Sequence, residues 1–100
     1  MQNTVKRFVM QNSLERNEKI WYIDLVSEIG ELGKEILKET DYGKKDYALH
    51  ETSVEEMDDC LFSLLALCCE MNIEAEKALT YAINKYQKRK KCKGDIGSNN

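Results

Sequence analysis

One hundred residues, 42% hydrophobic and 33% charged with no proline, describe a single small helical domain and exclude a disordered chain. Eighteen acidic against 15 basic residues leave a net charge of −3, which gives no support to nucleic-acid binding. No apolar run approaches the roughly 18 residues of a membrane span. The first residues, Met1 to Arg7, lack the apolar core of a signal peptide, so a cytoplasmic location is expected. A chain this short buries a modest share of its surface, and a second copy is expected to help complete the core.

Val5, Phe8 and Val9 recur at helical spacing and predict a first helix over residues 2–12. Asn12, Ser13 and Asn17 supply turn and cap chemistry before a second helix that runs to about Glu39. Its core stripe is Trp21, Leu25, Ile29, Leu32 and Ile36. Glu28, Glu31 and Glu35 fall within about 40° of Asp24 on a neighbouring face. Gly30 and Gly33 lie inside this helix at roughly 1 kcal/mol each relative to alanine, which predicts close approach of another helix. Trp21 reads as core or interface, with base stacking the sharper alternative. Residues 40–52 have no sustained period and form the one long connection. Gly43 is the expected left-handed stop, and Tyr42 and Tyr47 are loop aromatics.

A third helix is expected from Thr52 or Ser53, where two capping boxes overlap: Thr52 with Glu55, and Ser53 with Glu56. Val54, Met57, Leu61, Leu64, Leu65 and Cys68 form its apolar stripe, and Glu56, Asp59 and Ser63 lie beside it. Asn72 is the expected cap of a fourth helix carrying Ile73, Leu79, Ala82, Ile83 and Tyr86. That helix ends in a basic cluster from Lys85 to Lys93. The polar stretch 94–100 is expected to be a disordered tail after a domain spanning 1–93. Cys60, Cys68, Cys69 and Cys92 form no Cys-x-x-Cys pair, and Cys60 and Cys68 read as small buried hydrophobes.

The chemistry-bearing pattern is a pair of acidic pairs, Glu28-x-x-Glu31 and Glu56-x-x-Asp59. Carboxylates at i and i+3 lean the same way along a helix, so two such helices side by side surround one volume with four of them. All-oxygen ligation suits Mg²⁺ or Mn²⁺ and serves substrates that carry phosphates. Spacing alone does not separate this from a solvated charged face. About three such pairs would arise by chance at this acid content, and the chain holds four. A di-iron bundle would need Glu-x-x-His on two helices, and the single histidine, His50, lies in the loop. The basic cluster reads either as a helix end complementing its dipole or as a clamp for phosphate.

Glu28-Ile-Gly-Glu31-Leu32, followed by Glu56-Met-Asp-Asp59-Cys-Leu-Phe62 and by the helix Met71 to Arg89, resembles the MazG-like nucleoside triphosphate pyrophosphohydrolases. The family pattern is Glu-Glu-x-x-Glu on one helix and Glu-x-x-Asp on the next. Ser27 stands here where the family has the first glutamate. The resemblance, over residues 20–90, implies an all-α helical bundle completed as a homodimer or homotetramer. It implies Mg²⁺, or Mn²⁺, held by Glu28, Glu31, Glu56 and Asp59, which are then also the catalytic residues. Asn84, Lys85, Lys88 and Arg89 are the implied substrate-binding residues. The implied reaction is hydrolysis of a (d)NTP to the monophosphate and pyrophosphate, as nucleotide-pool housekeeping. The alternative is a non-catalytic helical module, related to that family, that binds a nucleotide or a partner without turnover. If Glu56 is a ligand, Thr52 should be the cap and Glu55 should close the box, leaving Glu56 free.

Overall fold

The computed structural model describes residues 1–93; the expected tail 94–100 lies outside the described residues. The chain is all-α: α1 (Gln2–Gln11), α2 (Glu18–Glu39), α3 (Glu51–Glu70) and α4 (Ala75–Lys93), with no strand among the described residues. No helix among them is long and apolar enough to cross a membrane.

Asn17 starts α2 as expected, its side-chain oxygen accepting from the Ile20 N–H at 3.0 Å. The three internal helix ends share one closure that the sequence did not announce. Ser13, Asp41 and Asn72 each take a left-handed φ, of 53°, 48° and 56°. The next residue's N–H then reaches back to the last turn: Leu14 to Val9 O, Tyr42 to Leu37 O, and Ile73 to Cys68 O. So Gly43 is not the stop of α2, and Asn72 ends α3 and does not cap α4. Short polar side chains tolerate this backbone better than other L-residues, though not as well as glycine. The N-terminus of α4 is met from far away. The Ala75 N–H donates to the Gln2 side-chain oxygen at 2.6 Å, and the Gln2 amide donates to Ile73 O at 2.7 Å.

Val5, Val9, Trp21, Leu65 and Ala66 make the core, flanked by Leu14, Phe62, Leu67 and Ala75. Phe62 meets Phe8 and Trp21 edge to face, with ring centroids 6.0 and 6.1 Å apart. Such pairs add about 0.5–1.5 kcal/mol beyond area burial. Trp21 is 5% exposed, with the Arg16 guanidinium 5.6 Å from its ring, so it is a core residue with no face free to stack a base.

The α2–α3 packing departs from the expected core stripes. On α3 the buried residues outside the aromatic core cluster are small: Ser53, Cys60 and Ser63. Val54, Met57, Leu61 and Leu64 stay 44–54% exposed. On α2, Leu25, Leu32, Asp24, Glu28, Glu35 and Glu39 are all half-buried, while Ile29 and Ile36 remain open. The two helices therefore meet on a face rotated toward their acids. In this antiparallel pair the acidic strips share one edge of the seam, and the apolar strips share the other. Among the described residues nothing lies within 4 Å of a Cβ built on Gly30 or Gly33, so none of the described helices approaches them. The radius of gyration, 16.7 Å, exceeds the roughly 13 Å of a compact domain of this length. The apolar stripe of α4 accounts for part of the open surface, with Leu79, Ile83 and Tyr86 exposed.

Two substitutions follow. Gly30→Ala adds helix propensity without a clash, and Ser13→Gly relieves a left-handed serine. Each is expected to raise unfolding stability by about 0.5–1 kcal/mol in urea melts.

Candidate metal centre

Three of the four predicted ligands converge. One carboxylate oxygen from each of Glu28, Glu56 and Asp59 lies within 4.8 Å of the other two. Glu28 and Glu56 are half-buried and Asp59 is exposed, so the cluster opens to solvent at the acidic edge of the seam. The buried residue of α3 beside this cluster, Cys60, is small and adds little bulk next to the three carboxylates.

The charges are uncompensated. Burial pushes the Glu28 carboxyl above its ordinary range, and Asp59, Asp24 and Glu31 push the same way. Glu56 is raised by burial and then by Glu31, Asp59, Glu28 and Glu35. No basic group offsets either one. The thiol of Cys60, next to Asp59, is raised by burial and by the same three acids, so it stays protonated and offers no soft ligand. All four cysteines are free. The donor set is thus three hard oxygens with excess negative charge, which fits Mg²⁺ or Mn²⁺ and fits zinc or copper poorly.

Glu31 lies outside this tight group. It is about half exposed, with the Lys34 ammonium 4.0 Å away. It remains near enough to raise both Glu28 and Glu56. Ser27 is exposed. Asp24 and Glu35 sit half-buried one turn away on either side, and Lys38 approaches Glu35 at 3.4 Å.

The predicted substrate contacts are elsewhere on the surface. Asn84 lines a shallow open groove along α4 with Glu76, Lys77, Thr80 and Tyr81. Lys85 lies 5.4 Å from the Tyr81 ring and Arg89 5.6 Å from the Tyr86 ring, while Lys88 is exposed. Among the described residues no ion pair joins these basic groups to the acids. His50 precedes α3 and gives it no side-chain cap.

The expected capping box is absent. Thr52 does not cap α3; its hydroxyl donates to Glu39 Oε2 at 3.1 Å, and the Ser53 hydroxyl donates to Glu39 Oε1 at 2.5 Å. Glu56 is free of any box, as expected. Sequence reasoning missed Glu39. The available signal was an acid in the last turn of a helix, where the dipole disfavours it. No protein-family model, curated protein or solved structure matches this chain.

The raised carboxyls set a pH dependence. A group whose folded pKa lies above its unfolded value contributes stability below the unfolded pKa, and loses it as pH rises through the folded one. Near neutral pH the ionised cluster therefore destabilises the fold. Mg²⁺ is expected to raise the melting temperature at pH 7.5, and the increment should vanish as pH falls toward the ordinary carboxylate value of 4.5. Glu28→Gln should melt higher than the parent without Mg²⁺ and gain less from it, as read by differential scanning fluorimetry.

Proposed function

We propose that the chain is a Mg²⁺-dependent nucleoside triphosphate pyrophosphohydrolase of the MazG-like kind, cleaving (d)NTPs to monophosphate and pyrophosphate. The observation that carries this reading is the convergence of Glu28, Glu56 and Asp59 across two helices. Four i, i+3 acidic pairs exist in the sequence, and the α2–α3 seam joins members of the two pairs that match the family pattern.

Glu28, Glu56 and Asp59 would hold the ion, with Glu31 beside them. The bound cation would supply charge neutralisation at the phosphate oxygens and a lowered pKa for a coordinated water. Glu31, exposed at the rim and outside the tight cluster, would be the carboxylate left to accept a proton from that water. Half-burial of Glu28 and Glu56 would narrow the range of their side chains before substrate arrives. Lys85, Lys88 and Arg89, with Asn84 as a polar contact, would hold the remaining phosphate charge.

The same reading includes self-association as a dimer or tetramer. Ile29 and Ile36 of α2 lie on the same edge as Met57, Leu61 and Leu64 of α3, and all are exposed. A second α2–α3 pair placed against this edge would bury it on both copies as a four-helix bundle. Residues 75–93 carry seven basic groups and one acid, whereas residues 1–74 carry eight basic groups and sixteen acids. The basic end of one copy's α4 is thereby suited to approach the acids of another.

Ser27, exposed and without the carboxylate of the family pattern, favours the second reading, a binding module without turnover. Pyrophosphate release from a panel of dNTPs with Mg²⁺ separates the two. The enzyme reading expects turnover that falls at least about 100-fold in Glu56→Gln and Asp59→Asn. Binding of a non-hydrolysable analogue without turnover in the parent supports the module. For assembly, sedimentation velocity at micromolar concentration should show an oligomer, and Leu61→Glu should reduce it to monomer.

A further inference from the structure

We propose that Glu39 is a positioning residue for the acidic cluster: by bridging the Ser53 and Thr52 hydroxyls, its carboxylate sets the register in which α3 lies on α2. This rests on the metal-site reading of Glu28, Glu56 and Asp59.

Glu39 is the last residue of α2, at the negative end of that helix's own dipole. Its placement makes sense against α3 instead, where it meets the positive N-terminal end. Each carboxylate oxygen takes one hydroxyl, Oε2 from Thr52 and Oε1 from Ser53. A two-point contact restrains both rotation and sliding of α3. Among the described residues these are the two side-chain hydrogen bonds between α2 and α3, and no ion pair joins these helices. Residues 41–50, which connect them, are exposed throughout.

Ser53 is 4% exposed, so its hydroxyl requires an acceptor. The bond from Ser53 is also the first cause holding the Glu39 carboxyl below its ordinary range, with Thr52, His50 and Tyr47 acting the same way. Glu56 follows Ser53 by three residues, less than one turn. A slip of α3 by a single residue would swing Glu56 by about 100° and take it away from Glu28. Glu39 itself stands eleven residues beyond Glu28, about 16 Å along the helix. It is not among the charges that shift the Glu28 or Glu56 carboxyl, so its influence on the cluster is geometric.

The test compares Mn²⁺ affinity, measured by electron paramagnetic resonance at 0.15 M salt, for the parent, Glu39→Ala, Glu39→Gln and Ser53→Ala, with circular dichroism to confirm helix content. Glu39→Ala and Ser53→Ala should each weaken Mn²⁺ binding about 10-fold. Glu39→Gln keeps an acceptor for Ser53 and should restore most of the affinity. Parent-like affinity in Glu39→Ala overturns the proposal, and so does a Glu39→Gln protein as impaired as Glu39→Ala. If Glu39→Ala does not fold, the smaller change Ser53→Ala decides by the same comparison. A parent protein that binds no Mn²⁺ overturns the functional reading itself, a result distinct from tight binding in the parent and an unchanged variant.

Discussion

The packing of α2 on α3 through small residues is the constraint from which the other features follow. Ser53, Cys60 and Ser63 present little bulk, so the helices settle on the face they share with their acids. That choice draws Glu28 and Glu56 half out of water and sets Asp59 beside them. Burial disfavours each charge, and their mutual repulsion adds to the cost. The same rotation leaves Ile29, Ile36, Met57, Leu61 and Leu64 uncovered on the opposite edge. One packing decision thus creates both a site with excess negative charge and a surface with excess apolar area. On the proposed function a cation would answer the first and a second copy the second.

Much of the architecture was legible because it depends on local signals. Helical periodicity placed α1, α2 and α3 within a residue or two of their observed ends, and the Asn17 cap was read correctly. Trp21 as core and Cys60 as a buried small hydrophobe also followed from spacing. Which of two adjacent stripes a helix buries was not legible. Leu25 and Leu32 lie between the acidic and apolar strips on α2, so the wheel allows packing rotated to either side. The small side chains of α3 decided it, and a hydropathy pattern ranks Ser53 and Ser63 below Leu61 and Leu64.

The remaining departures share a physical cause: partners distant in sequence. The capping boxes at Thr52 and Ser53 are local patterns, and both hydroxyls turn to Glu39 instead. Asn72 resembles a cap by position, yet Gln2 supplies the contact to the start of α4 across 73 residues. Gly30 and Gly33 suggested a close neighbour, and none of the described helices fills that space. Of the site, the order of the acidic pairs and their place beside apolar stripes were visible. That Glu28, Glu56 and Asp59 form the tight group while Glu31 stands at its rim depended on the rotation of the seam.

The central claim is that the three carboxylates are brought together to hold a hard cation. Anomalous scattering from a crystal grown with Mn²⁺ tests it most directly. The account predicts a single strong peak bounded by Glu28, Glu56 and Asp59, with α2 and α3 in the register described. Ordered carboxylates that turn apart into solvent with no peak between them would contradict it.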